Sequence, residues 1–281
     1  MSTPAETVGD YRVERLLGTG SSASVYLAQH LHDQSWVALK IFAPAGLADE
    51  LERCELRARF MQEAQTVQRL RHPDIVCVHA AGESAHQLWL AMELAPGCPL
   101  DRYVQRRLLL PTEVVLGFGE RVARALAHAH KQGVVHRDIK PSNILVSVAE
   151  QSLKLTDFGT ARLLDHCRTR TEVMMGTPAY MSPELLAGDP ATPASDLYAL
   201  GVTLFELLAG QLPHPSRSLG ELLRQITEEP APDLRQLRPD LPAPLALAVA
   251  KLLARRVADR PSCADEVALE LGAIRALAPK K

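Results

Sequence analysis

The chain has 281 residues, 47% of them apolar, which is enough to bury a large core and falls between one big domain and two modest ones. Lys and Arg total 31 against 33 for Asp and Glu, a formal net charge of -2, so the basic excess of a nucleic-acid or anionic-membrane binder is absent. The five cysteines stand singly, with neither the paired spacing of zinc sites nor the density of a disulfide scaffold, which suits a reducing compartment and a cytoplasmic location.

Residues 1–10 carry no basic or apolar run of the kind a leader peptide needs, and they read as a short disordered tail. From 11 to 94 the pattern is strand-like, with strands expected over 11–17, 25–30, 36–41, 75–80 and 87–94. These make a small antiparallel sheet. One charged, alanine-containing helix is expected over 50–71, stopped by His72 and Pro73, because proline removes a backbone donor and disfavours helix at the residue before it.

Beyond Pro96 and Gly97 the composition turns helical, which places a lobe boundary at about residue 95. Thr112 is expected to N-cap a helix whose apolar positions Val115, Phe118, Val122, Leu126 and Ala129 share one face, with Gly133 as its stop. Two short strands follow at 144–146 and 153–156. Leu197, Leu200, Leu204 and Leu207 repeat at helical spacing from Asp196 onward, and 246–254 and 264–276 read as further helices. The stretch 230–244, with its prolines, reads as an irregular loop. Residues 197–205 are uncharged for only nine positions, well short of the ~20 that span a bilayer, so no membrane segment is expected in this chain.

The densest chemistry lies at His136-Arg137-Asp138-Ile139-Lys140-Pro141-Ser142-Asn143, followed after fourteen residues by Asp157-Phe158-Gly159. Far upstream stand Leu17-Gly18-Thr19-Gly20-Ser21-Ser22-Ala23-Ser24-Val25 and then Val37-Ala38-Leu39-Lys40. Taken singly, two nearby glycines are more often a hairpin turn, and a strand-end lysine is more often solvated. At this order and spacing the set resembles the Hanks-type serine/threonine protein kinases over residues 11 to about 276. The Gly176-Thr177-Pro178-Ala179-Tyr180-Met181-Ser182-Pro183-Glu184 wording is most like the bacterial members.

The resemblance implies an α+β, bilobal protein kinase fold, with a lobe of five antiparallel strands and one helix at 11–94 and a mainly helical lobe at 95–276. It implies ATP and magnesium, or manganese in its place, and transfer of a phosphoryl group to Ser or Thr of protein substrates. Leu17 to Val25 would cover the phosphates, with Ala23 standing where the family has a third glycine; Ala38, Glu93, Leu94 and Leu145 would line the nucleotide. Lys40 would hold the phosphates and pair with Glu63, preferred over Glu52 and Glu55 because it lies nine residues before His72.

Asp138 would act as base, Lys140 would neutralise the transferring group, and Asn143 with Asp157 would supply hard oxygen ligands to the metal. His136 and Phe158 would pack the loop. Thr169 and Thr171 would be phosphorylated, in a reaction between two copies in a homodimer, and pair with Arg137; Thr177 would be structural. Glu184 would pair with Arg260, and Asp196 would cap its own helix while holding the catalytic-loop backbone. Two rivals are a scaffold that keeps the fold without turnover and a small-molecule kinase. The intact set Lys40, Asp138, Asn143, Asp157 argues against the first, and the segment ending at Glu184 against the second.

Overall fold

The structure is a computed structural model that describes residues 7–20, 23–42, 50–84, 87–105, 107–158 and 178–277, with the side chains of Glu50 and Glu52 excepted. The described residues form two compact units, divided between Pro96 and Gly97.

The first unit is an antiparallel sheet of β1 (Thr7–Val8), β2 (Tyr11–Thr19), β3 (Ala23–His30), β4 (Trp36–Phe42), β5 (Val78–Ser84) and β6 (Gln87–Glu93), in the order β1-β2-β3-β4-β6-β5. Helix α1 (Glu50–Gln68) packs on it. The sheet is six-stranded rather than five-stranded, because Thr7 and Val8 turn back at Gly9 and pair with Arg12 and Tyr11. The expected disordered tail is therefore ordered from residue 7, held by Val8 in the core.

The strand expected over 75–80 is displaced to Val78–Ser84. Pro73 and a turn in which Ile75 N donates to His72 O keep the preceding residues out of the ladder. Similarly, α1 ends at Gln68 rather than residue 71, its last turn unwinding before the proline.

Register divides this sheet into two faces, since residues opposite one another across an antiparallel pair point the same way. Ala28, Val37, Leu39, Trp89 and Ala91 fall on one face and form a core cluster with Val8 and Tyr11. The other face carries Val25 opposite Lys40, Leu27 opposite Ala38, Lys40 opposite Leu90, and Ala38 opposite Met92. Helix α1 lies on this second face, where the rings of Phe42 and Phe60 meet edge to face with centroids 5.5 Å apart.

The second unit holds a small sheet of β7 (Cys98–Pro99), β8 (Ile144–Ser147) and β9 (Ser152–Leu155), and helices α2 (Thr112–Lys131), α3 (Pro183–Ala187), α4 (Pro193–Ala209), α5 (Leu219–Glu228), α6 (Leu234–Leu237), α7 (Ala243–Leu252) and α8 (Ala264–Leu277). Helix α4 is apolar almost all round and buried along nearly its whole length, so it is the centre on which α2 and α7 pack. Helix α2 buries all five of its expected core positions.

Thr112 is not the N-cap of α2: Pro111 occupies that position and Thr112 is the first helical residue, with no side-chain cap. The 230–244 stretch is not wholly irregular, since Asp233 Oδ1 accepts from Arg235 N and starts the short α6. Helices α3 and α5 were not expected; α5 is started by Ser218, whose Oγ accepts from Glu221 N. Among the described residues no helix is long and apolar enough to cross a membrane.

Candidate active site

In the second unit, α2 delivers the chain to the loop of residues 136–143 through a glycine-dependent turn. Gly133, at φ 74, donates to His130 O, and Val134 donates to Ala129 O, each at 3.0 Å, which is the doubly bonded C-cap that glycine makes accessible. Residues 136–143 then run to β8.

Asp196, 1% exposed in the first turn of α4, collects three donors: His136 N and His130 Nε2 on Oδ2, and Arg137 N on Oδ1, all at 2.8 Å. Asp196 does not cap its own helix. That position is Thr192, which forms a capping box with Ser195, while both Asp196 oxygens are committed to the loop. Arg137 takes the left-handed conformation at φ 74, worth about 1–3 kcal/mol of strain in a non-glycine residue, and its bond to Asp196 opposes that cost.

His136 is fully buried and fixed in one tautomer. Nδ1 accepts from Asp138 N at 3.2 Å, so Nε2 carries the proton and donates to Thr156 O at 2.8 Å. Burial pushes the His136 pKa down, outweighing the pull of Asp196 and Asp138, and the ring stays neutral. The Phe158 ring, also buried, lies against it at 4.4 Å between centroids.

Asp138 Oδ2 receives Lys140 Nζ at 2.8 Å and Asn143 Nδ2 at 2.8 Å, and Asn143 Nδ2 also donates to Asp138 O at 2.7 Å. The carboxylate is thereby oriented through one oxygen. Because both amide protons of Asn143 go to Asp138, the amide presents Oδ1 as its acceptor. Asn143 O in turn accepts from Thr156 N at 2.9 Å, which ties the loop to the residue before Asp157. Asp157 is itself left-handed, at φ 67, and half-buried.

Glu184, in α3, meets Arg260 through two parallel bonds of 2.7 and 2.8 Å, Nη1 to Oε1 and Nη2 to Oε2. Tyr180 donates its hydroxyl to Glu206 Oε2, and burial pushes both the phenol and the carboxyl up from their ordinary pKa values. Arg137 Nε is buried without a hydrogen-bond partner among the described residues. Ser21, Ser22, Cys167, Thr169, Thr171 and Thr177 lie outside the described residues.

In the first unit Lys40 is buried to 8% exposure, with Nζ 5.5 Å from the centre of the Phe42 ring. Glu63 follows Phe60 by three residues on α1 and so shares the helix side turned toward the Lys40 face of the sheet. Glu55 instead points outward and pairs with Arg59 at 3.0 Å.

Gly18 of β2 stands opposite Val25, with open space where a Cβ would be. Gly20 N donates to Ala23 O at 2.8 Å, closing the glycine-rich turn, and Ala23 stands opposite Phe42 with its methyl buried. Leu17 is 40% exposed and Thr19 stands opposite Ser24 at the strand end. Glu93 is tied to Cys77 by its own N–H, at 2.8 Å to Cys77 O, and accepts Cys77 N on Oε2 at 3.2 Å. Leu94 is 41% exposed, and in the second unit Leu145 on β8 stands opposite Pro99.

Two residues escaped the reading of the sequence. Met92 shares the sheet face of Ala38 and Lys40, a fact that only register reveals. His130 reaches Asp196 from α2, and its sole sequence signal is a titratable residue in the last helical turn before the loop. No cluster of three or more metal-binding side chains of the His, Cys, Asp or Glu type occurs among the described residues.

The sequence matches the protein kinase domain family over residues 11–270. It is 38% identical over 266 residues to the serine/threonine-protein kinase PknJ of Mycobacterium tuberculosis, covering 92% of this chain and 44% of that protein. It is 37% identical over 276 residues to the serine/threonine-protein kinase pkn3 of Myxococcus xanthus (94% and 50%) and 34% identical over 264 residues to PrkC of Bacillus subtilis (94% and 40%). The chain thus spans no more than half the length of these relatives. The crystal structure of the Mycobacterium tuberculosis PknI kinase domain superposes with a TM-score of 0.74 at 33% identity, covering 98% of this chain and all of that one.

Proposed function

The chain belongs to the protein kinase domain family, and from that premise we propose that it transfers the γ-phosphoryl group of ATP to serine or threonine hydroxyls of protein substrates. The observation that carries this reading is the convergence of Lys140 and Asn143 on one oxygen of Asp138. It leaves the other carboxylate oxygen to take the proton of an incoming hydroxyl and to orient that hydroxyl for in-line attack. Lys140, with one of its three N–H groups on Asp138, is placed to neutralise charge on the group in transit.

The donor set fits a hard divalent cation. Asn143 presents a carbonyl oxygen and Asp157 a carboxylate, and two oxygen ligands are what magnesium takes from protein when phosphates and waters complete its shell. Magnesium, or manganese, would supply charge neutralisation between the phosphates when bound. Asn143 and Asp157 would hold it, the hydrogen bonds to Asp138 and the Asn143 O to Thr156 N bond fixing where the two ligands lie.

On the first unit, Lys40 would grip the phosphates, Glu63 would orient Lys40, and Gly18 and Gly20 would let backbone amides approach an anion. Val25, Ala38 and Met92, on the Lys40 face of the sheet, would line the base with Leu17, Glu93 and Leu94. The Ala23 methyl, buried opposite Phe42, is a departure the fold accommodates.

We take residues 11–276 as one catalytic domain. Arg137, with its buried Nε, would receive phosphate placed on Thr169 or Thr171 by a second copy in a transient homodimer. The four described cysteines are free thiols, as the reducing cytoplasm would keep them. The test is to incubate the purified chain with radiolabelled ATP, magnesium and a serine- and threonine-containing protein, and to identify the labelled amino acids. Phosphoserine or phosphothreonine is expected; no label on protein would overturn the reading.

A further inference from the structure

Ala23, which stands where a third glycine is expected, and Phe42 are two residues of the first unit to which the proposed reaction gives no task. Register brings them together. Ala23 on β3 lies opposite Phe42 on β4, and Lys40 precedes Phe42 by two positions, so all three side chains point to the same face of the sheet. On that face Lys40 Nζ stands over the Phe42 ring, 5.5 Å from its centre. Lys40 is 8% exposed and Phe42 2%, so water screens the pair little.

An ammonium within about 6 Å of a ring centre is drawn to the negative face of the ring, and the attraction grows as water is removed. A leucine would give comparable burial here and none of that attraction. Lysine carries its charge on a flexible four-carbon stem, so the ammonium keeps a fixed place only where its surroundings impose one. The Phe42 ring imposes it from the sheet, whereas Glu63 would act from α1.

The ring must in turn be held. Phe60 of α1 meets it edge to face, and Leu88 on β6 lies opposite it and is buried. On the β3 side the neighbour is Ala23, with its methyl buried. Glycine there would leave that flank of the ring short of one methyl group of packing. Ala23 O also accepts Gly20 N at 2.8 Å, so the residue beside the ring is the one that closes the glycine-rich turn.

We propose that Phe42 is a positioning residue for phosphoryl transfer: its ring face holds the Lys40 ammonium in place for the phosphates, and the Ala23 methyl keeps the ring in that attitude. The proposal rests on the reading of Lys40 as the group that grips the phosphates of ATP. Restoring a glycine at Ala23 should therefore impair the use of ATP rather than improve it.

Phosphorylation of a serine peptide by the full chain, read as kcat/KM for ATP at saturating peptide, tests this. Mono-, di- and trifluorinated phenylalanine placed at Phe42 nearly keep the shape of the ring while draining negative charge from its face. Along that series kcat/KM should fall stepwise, and Phe42→Leu should lower it by about 5- to 30-fold, the worth of a desolvated cation–π contact. Ala23→Gly should lower it by about 2-fold or more in the wild type and by clearly less in the Phe42→Leu background, since residues in contact are not additive.

An active wild type with the same kcat/KM for every fluorinated ring overturns the proposal, because a ring that only fills space is indifferent to fluorine. An Ala23→Gly that equals or exceeds wild type overturns it too, as does one with a loss undiminished by Phe42→Leu. If Phe42→Leu does not fold, the fluorinated series decides: a stepwise fall supports the proposal and a flat series overturns it. An inactive wild type, or a Lys40→Met as fast as wild type, overturns the proposed function instead.

Discussion

Replacing Arg260 by methionine should destabilise the second unit by about 3–5 kcal/mol, the range for removing one partner of a buried ion pair. The Arg260 side chain is 0% exposed and Glu184 13%, so neither partner has the water that makes surface pairs nearly worthless. Besides its two bonds to Glu184, Arg260 donates Nε to Ala254 O at 2.8 Å, Nη1 to Ala194 O at 3.0 Å and Nη2 to Arg255 O at 3.1 Å, and its guanidinium lies 5.0 Å from the centre of the Tyr198 ring. Methionine refills part of the volume but satisfies none of these acceptors, which places the cost at the upper end of the range.

Glu184→Gln should cost less, about 1.5–3 kcal/mol, because Arg260 keeps three backbone carbonyls and the charge-assisted bonds alone are weakened. Glu184→Leu with Arg260→Met should recover a large part of the single-variant loss, since a buried ion pair replaced by well-packed apolar groups is often neutral. Urea denaturation followed by far-UV circular dichroism reads the helical unit, whereas both tryptophans, Trp36 and Trp89, lie in the first unit and report it by fluorescence. A loss below about 1 kcal/mol for Arg260→Met would put the pair in the surface class and refute the reasoning.

Asp138→Asn should keep ATP affinity and lower phosphoryl transfer by about 100- to 10,000-fold, the share of general-base catalysis, measured by nucleotide titration and peptide phosphorylation; unchanged transfer would remove Asp138 from the chemistry. Burial lowers the pKa of both His136 and His214, so at these two groups the unfolded chain binds more protons than the folded one near pH 6. Their contribution is fully present above the unfolded value of about 6.5 and is lost as pH falls below it, by up to about 1.4 kcal/mol per pH unit for each histidine. Urea midpoints at pH 7.5 and 5.5 check this, and equal midpoints would contradict it. Gly97→Ala should lower stability by at least about 1–3 kcal/mol, because Gly97 has φ 98 and an added Cβ would collide with the Val146 carbonyl behind it. Thermal melting is the check, and an unshifted transition would show that this turn can move.

Motif order pointed to much of the proposed site. Lys40, Asp138, Asn143 and Asp157 stood out because phosphoryl transfer calls for particular side chains at short, stereotyped separations from strand ends, and those separations are a property of the chain. The core face of α2 was legible too, since Val115, Phe118, Val122, Leu126 and Ala129 repeat at the helical period and all are buried. Local signals misled where two were in competition. Ile75 to Ala80 looked like strand by composition, yet the turn after Pro73 delays the ladder until Val78. Asp196 looked like a cap by position, but Thr192 and Ser195 satisfied the helix end and left the carboxylate to the loop.

By itself the sequence determined the family and the helix periods, and it singled out the groups proposed to do chemistry, since each is written in residue type and short-range spacing. Only the tertiary structure decided which side chains share a surface and which oxygen of a carboxylate is committed. Met92 joins Ala38 and Lys40 through strand register, and a one-residue slip would send it to the opposite face. His130, Asp196 and Arg137 meet because α2, α4 and the loop are packed together, with 66 positions of chain between the imidazole and its carboxylate. Contacts over such distances follow from the packing of whole elements, to which no local pattern responds.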